Sequence, residues 1–150
     1  MLHVHCDLSW QKCCSMVGTD PLSSAIGMWS LAKSLLALGE VHDALDLFNH
    51  VHTTHGWECN GCGEPTNSHN SAHICQYCFD NFCGACLGNL ASPRLTRFCL
   101  VGHGILELRS DLPTVSGDEI VFRNSRMGLP ECLFLLKEQW DLDRDPVISA

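Results

Sequence analysis

The chain has 150 residues and a mass of 16.6 kDa, which leaves room for one ordinary domain or two small ones. Its formal net charge is −8 and it contains no run of Lys or Arg, so nucleic acid and anionic membrane surfaces are not expected partners. No apolar run approaches the roughly 20 residues of a membrane span, and the opening MLHVHCDLSW lacks the pattern of a secretion signal. We therefore expect an intracellular protein, cytoplasmic or nuclear, with reduced cysteines.

The first 24 residues carry no regular apolar pattern. Cys6, Cys13 and Cys14 lack the spacing of metal ligands, and we expect them to be ordinary thiols. The run TDPLSS at residues 19–24 predicts a turn that caps a following helix.

Residues 25–54 predict two antiparallel helices, because apolar residues recur three or four apart in both halves. Gly39 lies in the joint between them, and Gly56 follows the second helix where a C-terminal cap is expected. The second helix also carries four histidines that we expect on a solvated face: His42, His50, His52 and His55.

The segment LAKSLLALGEVHDALDLFNHV resembles a tetratricopeptide repeat. Its small, large, Gly, small and aromatic positions are Ala32, Leu35, Gly39, Ala44 and Phe48. Any helical hairpin with Ala at the helix crossing would show a similar pattern. A single repeat cannot bury its own apolar face. The resemblance therefore implies either the end of a longer repeat array or a hairpin whose open face packs against the rest of the chain.

Four pairs of potential metal ligands follow the hairpin. Two ligands separated by two or three residues can face one ion, and tetrahedral zinc takes four such ligands. Eight ligands predict two closed zinc sites, whereas a disulfide framework is disfavoured in a reducing compartment. The pairs are Cys59 and Cys62, Cys75 and Cys78, Cys83 and Cys86, and Cys99 and His103.

The gap of four residues between Cys78 and Cys83 favours interleaved pairing of these ligands. So short a gap lets a hairpin-like turn hold two pairs side by side while each pair serves a different ion. The sequence therefore predicts a cross-brace. The first zinc site comprises Cys59, Cys62, Cys83 and Cys86, and the second comprises Cys75, Cys78, Cys99 and His103.

The segments GWECNGCGEP, HICQYCFDNFCGACL and CLVGHGILEL together resemble a ZZ-type zinc finger over residues 57–108. The chain departs from that family at Cys99, where a His is usual, and in a gap after Cys78 that is one residue shorter. ZZ-type fingers tend to bind the N-terminal segment of a partner, holding the free amine with acidic residues. The resemblance assigns this role to Asp80, Asn60 and Asn81; because only Asp80 is charged, we expect weak or altered specificity.

Two other cross-brace families share part of this pattern. FYVE-type fingers share the gap of four residues between the second and third cysteine pairs. They bind phosphoinositides through a run of basic residues before the second pair, and here residues 70–74 at that place contain no Lys or Arg. RING-type ubiquitin ligases need a shorter gap between the fourth and fifth ligands. Alternative functions are therefore a ubiquitin-ligase accessory or a purely structural zinc cap on a repeat scaffold. We expect no enzyme, since closed zinc sites leave no position for substrate and no catalytic motif occurs.

After the ligand pairs, residues 105–108 alternate as a strand should and are expected to pair with residues 73–76. Residues 109–128 are loop-rich, with a candidate strand at 119–122. A helix then begins at Leu129-Pro130, includes Cys132 as a core residue, and is followed by an acidic tail from Asp141. Its apolar stripe, expected to pack in the core, comprises Leu129, Leu133, Leu136 and Trp140.

Taken together, these patterns predict a small zinc-stabilised α+β protein in three segments. Residues 1–56 form a helical, tetratricopeptide-like hairpin, residues 57–108 a ZZ-like finger with short strands, and residues 109–150 a loop, a helix and a tail. The expected function is a zinc-binding protein-interaction module that recognises a protein or peptide partner.

Overall fold

The computed structural model describes residues 10–66, 72–87, 104–108, 115 and 118–140. Cys6, Cys99, His103 and the predicted acidic tail lie outside them. No helix within these ranges has the length and apolar composition needed to span a membrane. The helices are α1 (Trp10–Met16), α2 (Pro21–Ala37), α3 (Val41–Thr54), α4 (Gly84–Leu87) and α5 (Leu129–Trp140). The strands are β1 (Trp57–Glu58), β2 (Pro65–Thr66), β3 (Ala72–Cys75), β4 (Asn81–Cys83), β5 (Ile105–Leu108), β6 (Glu119–Phe122) and β7 (Ser125–Gly128).

The predicted hairpin of two helices is confirmed as α2 and α3. Asp20 caps α2, its side chain accepting a hydrogen bond from the Ser23 N–H at 3.0 Å, and Pro21 occupies the first turn. Gly39 ends the helix in the left-handed conformation (φ +85°), which only glycine adopts without steric cost. The Glu40 N–H then bonds back to the Leu35 carbonyl at 2.9 Å and starts the turn into α3.

Helix α1 was not predicted from the sequence. It has only seven residues, too few for an apolar period to be recognised, but it buries Cys13 almost completely. It packs closely on α2 at Gly27, where a Cβ would come within 2.7 Å of the Cys13 carbonyl oxygen. Tertiary packing rather than local sequence therefore accounts for α1.

Three small antiparallel sheets follow the hairpin of helices among the described residues, and the first pairs β1 with β2. In the second, β3 lies between β4 and β5, with Ala72 opposite both Cys83 and Leu108, so the predicted pairing of residues 105–108 is confirmed. The third is the β6–β7 hairpin, of which only β6 was predicted. Strand β7 escaped prediction because its sequence, SRMG, does not alternate between apolar and polar residues.

A large buried core joins α1, α2, α3 and α5 to the second and third sheets. The inward residues of α2 and α3 pack with residues of the strands and of α5. Those residues, which are at most 3% exposed, include Ile74 of β3, Leu108 of β5, Phe122 of β6 and Leu136 of α5. Cys132 belongs to the same core, as predicted. The apolar face that a lone helical hairpin would expose is therefore covered by the strands and by α5.

The prediction that four histidines at α3 face solvent is wrong for two of them. His50 and His52 are 7% and 2% exposed, whereas His42 and His55 are exposed. The prediction treated α3 as part of a two-helix hairpin, but β5 and β6 also pack against this helix. Burial lowers the pKa of His50 to about 4, so its ring is neutral at pH 7.

An ion pair fastens the β6–β7 turn to α3. The guanidinium of Arg123 donates two hydrogen bonds to the buried carboxylate of Asp43, at 3.0 and 2.9 Å, and its backbone N–H donates to Asp46 at 2.9 Å. Both turn residues, Arg123 and Asn124, have positive φ (50° and 62°), as the tightest hairpin turns require. The bidentate contact therefore holds a conformation that is unfavourable for Arg by itself.

Candidate metal centre

The first cysteine pair lies in a tight turn between β1 and β2, which we call the first knuckle (residues 59–63). The Gly63 N–H donates to the Cys59 carbonyl oxygen at 2.9 Å, and Gly63 adopts a positive φ of +77°. The Gly61 N–H points at the Cys59 sulfur, 3.3 Å away. Backbone donors aimed at a sulfur stabilise its thiolate form, which is the form that binds metal.

The third cysteine pair reaches the first knuckle from β4 and α4. Cys83 ends β4, and its N–H donates to the Cys59 sulfur at 3.3 Å. Two reciprocal bonds, each 2.8 Å long, join the elements: the Asn60 N–H donates to the Asn81 carbonyl, and the Asn81 N–H donates to Oδ1 of Asn60. These contacts place Cys83, and Cys86 one turn later, opposite the first knuckle.

The four thiols of the predicted first zinc site come together in the structure. Their sulfur atoms all lie within 4.8 Å of one another, and the Sγ atoms of Cys62 and Cys83 are 3.9 Å apart. Four sulfurs at about 2.3 Å from a zinc ion would be about 3.8 Å apart at the corners of a tetrahedron. A disulfide would require about 2.05 Å. The spacing therefore fits a tetrahedral metal ion; we call this group the thiol tetrad (Cys59, Cys62, Cys83 and Cys86).

The thiols of the tetrad differ in how readily they ionise without a metal ion. Burial raises the pKa of Cys59, but N–H groups of Cys83, Cys62 and Gly61 outweigh it and lower that pKa to about 7. Burial, assisted by the neighbouring thiols, raises the pKa of Cys86 well above its ordinary range. Like charges this close disfavour one another, so a cation that compensates them stabilises the arrangement.

The second cysteine pair forms a turn of the same length, the second knuckle (residues 75–79). The Cys78 N–H points at the Cys75 sulfur at 3.4 Å, and the Phe79 N–H donates to the Cys75 carbonyl at 3.0 Å. Phe79 has a positive φ of 60°, as Gly63 does at the equivalent place in the first knuckle. Cys99 and His103, which the sequence assigns to the same ion, lie outside the described residues.

A small separate core lies between the two knuckles. Its buried members are Phe82, at 2% exposure, and three cysteines, with Ile105 of β5 packed against them. The cysteines are Cys59, Cys75 and Cys86. Apart from Phe82, the buried residues of this core are all predicted metal ligands, so its stability depends on what the thiols bind.

Two contacts that involve aromatic rings pack the cysteine-rich segment against α2. The ring centroids of Trp57 and Trp29 are 4.9 Å apart. The ammonium of Lys33 lies over the ring of Phe79, 5.6 Å from its centre, at the distance of a cation–π contact. The contact with Lys33 stabilises Phe79 in its positive-φ conformation, which is unfavourable for a residue other than glycine. Gly63 adopts the equivalent conformation in the first knuckle without that cost.

The three residues assigned to peptide binding lie next to one another, but they differ in how accessible their side chains are to a ligand. Asn60 and Asn81 bond to each other as described above, and the side chain of Asn81 is buried, with Nδ2 directed at the Glu58 carbonyl at 3.5 Å. Asp80 is half-buried; within the described residues, no cation pairs with its carboxylate. Burial raises the pKa of Asp80, as expected for a carboxylate with little compensation.

Gly61, within the segment GWECNGCGEP, was not predicted from the sequence to be important for the site. A Cβ at this position would lie 2.8 Å from the sulfur of Cys86 and 3.0 Å from its Cβ. Only glycine allows the first knuckle to approach α4 so closely. The glycine is visible in the sequence, but the reason it is required is its contact with Cys86, which comes from a distant segment of the chain.

We expect Gly61→Ala to weaken zinc binding at the tetrad by about tenfold or more, because the added methyl group pushes Cys86 out of place. Competition with a chromogenic zinc chelator measures the affinity. Gly128→Ala is the matched control, since a Cβ there meets nothing nearer than 3.6 Å. Equal affinities of the two variants would contradict this role of Gly61.

Comparisons of the chain with protein-family models, with curated proteins and with solved structures give no match. The functional interpretation therefore depends on the geometry of the chain itself. That geometry identifies an α+β protein with a cysteine cluster suited to hold a metal ion.

Proposed function

We propose that residues 57–108 form a cross-brace finger that binds two zinc ions and presents a surface to a partner protein. The observation that carries the metal part is the thiol tetrad, whose donors and spacing suit tetrahedral zinc. When bound, zinc supplies a crosslink between the first knuckle and the β4–α4 segment. Four thiolates fill its coordination positions, so we propose a structural ion rather than a catalytic one.

We propose the second zinc site at Cys75, Cys78, Cys99 and His103. Two observations support it. The second knuckle has the same five-residue turn as the first, and in each turn a backbone N–H points at the first sulfur of the pair, from Gly61 in one and from Cys78 in the other. In addition, the Gln76 N–H donates to the Gly104 carbonyl at 2.9 Å, and Gly104 directly follows His103 in the sequence. Native mass spectrometry and elemental analysis should find two zinc ions per chain; a single ion would contradict the second site.

We further propose that the partner contributes a free N-terminal amine, held by the carboxylate of Asp80. The support is physical: a half-buried carboxylate with a raised pKa gains stability when an ammonium group lies beside it. Asn60 and Asn81 would then act mainly by fixing the first knuckle and β4 around Asp80, since Oδ1 of Asn60 already accepts from the Asn81 N–H and Nδ2 of Asn81 is directed at the Glu58 carbonyl.

We expect Asp80→Asn to weaken binding of free-amine peptides by about tenfold or more, because a charge-assisted hydrogen bond is worth roughly 1.5–3 kcal/mol. Fluorescence anisotropy with a peptide library, presented once with free and once with acetylated N-termini, measures the effect on the zinc-loaded chain. Glu64→Gln, which removes an exposed carboxylate beside the first knuckle, is the control. Equal binding of acetylated peptides would exclude amine capture, and binding of neither set would favour a purely structural zinc cap.

A further inference from the structure

The thiol tetrad is unevenly exposed to solvent. Cys59 and Cys86 are buried, at 2% and 6% exposure, whereas Cys62 is exposed and Cys83 is half-buried. The exposed edge of the tetrad is therefore the Cys62–Cys83 pair, one sulfur from each of the two segments that the metal would join. A soluble oxidant reaches these two sulfurs before the others.

The backbone around Cys62 leaves room for its sulfur to move toward Cys83. The two Sγ atoms are 3.9 Å apart, and a disulfide requires about 2.05 Å. Cys62 stands between Gly61 and Gly63 in an exposed turn, and nothing lies within 4 Å of the Cβ position of Gly63. The open space lies on the Gly63 side of the turn, because Gly61 packs against Cys86 on the other side. The exposed side chain of Cys62 is therefore the part that can rotate toward Cys83.

The sulfur of Cys59 is held much more firmly. It is buried and receives hydrogen bonds from the N–H groups of Gly61 and Cys83, both at 3.3 Å. Pairing Cys59 with Cys62 would remove it from these donors and from its core contact with Phe82. A disulfide between Cys62 and Cys83 leaves the buried, hydrogen-bonded sulfur of Cys59 in place.

We propose that Cys62 and Cys83 are a peroxide-sensitive modification site, at which a reversible disulfide releases the zinc ion of the tetrad. The inference rests on the proposed function, because it requires zinc at the first site. Its substrate class is a hydroperoxide, and its product is a disulfide that still joins the first knuckle to β4 but leaves only two thiolates for the metal.

The reaction balances in two steps. The Cys62 thiolate attacks the O–O bond of hydrogen peroxide; an S–O bond forms, the O–O bond breaks, hydroxide leaves and Cys62 becomes a sulfenic acid. The Cys83 thiolate then attacks that sulfur; the S–S bond forms, the S–O bond breaks and a second hydroxide leaves. The two sulfurs lose two electrons and the peroxide gains them. After this reaction only Cys59 and Cys86 would remain to hold a zinc ion at the tetrad, too few ligands to retain it.

The test uses the zinc-loaded full chain, treated with hydrogen peroxide in the presence of a chromogenic zinc chelator. We expect release of one zinc ion together with formation of a Cys62–Cys83 disulfide, and return of zinc binding after a thiol reductant and zinc are added. Trypsin cannot map the bond, since no Lys or Arg occurs between Lys33 and Arg94. Chymotrypsin cleaves after Tyr77 and Phe82 and so separates the two cysteines, and fragmentation of the linked peptides identifies the sulfurs.

The decisive variant is Cys62→His, which keeps four zinc ligands of accepted type but cannot form the disulfide. We expect it to lose zinc to peroxide at least about tenfold more slowly than the wild type. Cys14→Ser, which removes a half-buried thiol in α1, is the control and should behave as the wild type. If Cys62→His fails to bind zinc, Cys83→His makes the same comparison from the other side.

The possible results separate this inference from the function on which it rests. Zinc-free purified protein would refute the proposed function and the zinc release with it. Zinc-loaded protein that keeps its metal in peroxide would refute only the inference. A disulfide that joins another pair, or equally fast release from the wild type and the His variants, would also overturn it.

Discussion

Removal of zinc by a strong chelator should unfold the cysteine-rich segment while the helical core remains folded. The small core between the knuckles contains one large apolar side chain, Phe82, among metal ligands, which is too little to hold a fold without the ion. Structural zinc supplies on the order of 10–16 kcal/mol in finger peptides, comparable to the whole stability of an ordinary domain, about 5–15 kcal/mol. The larger core is built from α1, α2, α3, α5 and strands β3, β5 and β6, and its buried residues include none of the predicted ligands.

Hydrogen exchange followed by mass spectrometry measures this effect segment by segment. After chelation in the presence of a phosphine reductant, we expect fast exchange in residues 57–66 and 79–87, with protection retained in α2 and α3. Circular dichroism should keep most of its helical signal. The same chelator saturated with zinc is the control. Retained protection in residues 79–87 of metal-free protein would contradict the proposal that zinc holds this segment.

The number of zinc ions bound by cysteine variants should show which ligand pairs share an ion, and we expect the interleaved arrangement. If Cys59 and Cys83 serve one ion, then Cys59→Ser and Cys83→Ser each leave one zinc per chain. The double variant also leaves one, because the second substitution damages a site that is already lost. Combining Cys59→Ser with Cys75→Ser removes a ligand from each site and should leave none.

Native mass spectrometry of the intact chain distinguishes these outcomes directly. Cys14→Ser, which changes a thiol of α1 outside both predicted sites, should keep two zinc ions. Sequential wiring predicts the opposite pattern: the Cys59 and Cys75 double variant would keep one ion, and the Cys59 and Cys83 double variant would keep none. That result would also contradict the grouping of the tetrad in the structure.

The sequence by itself determined the helical hairpin and the grouping of the four cysteines of the tetrad. The hairpin of α2 and α3 was predictable because its signals are local: a capped start at Asp20, an apolar period of three to four, and Gly39 at the turn. The thiol tetrad was predictable because a gap of four residues after Cys78 leaves space for little besides the tight β3–β4 hairpin. Spacing along the chain limits which ligands can meet.

The tertiary structure alone decided which surfaces are covered. The period of α3 showed one apolar stripe, but β5 and β6 cover further sides of the helix and bury His50 and His52. No local pattern records a neighbour that is distant in sequence; Asp43 and Arg123 are paired across 80 positions, and their contact fixes the β6–β7 turn. The same holds for Gly61, where glycine is required by Cys86 from another segment. Burial and close approach depend on the whole packed chain, and they decide which of the predicted site residues remain available to a ligand or an oxidant.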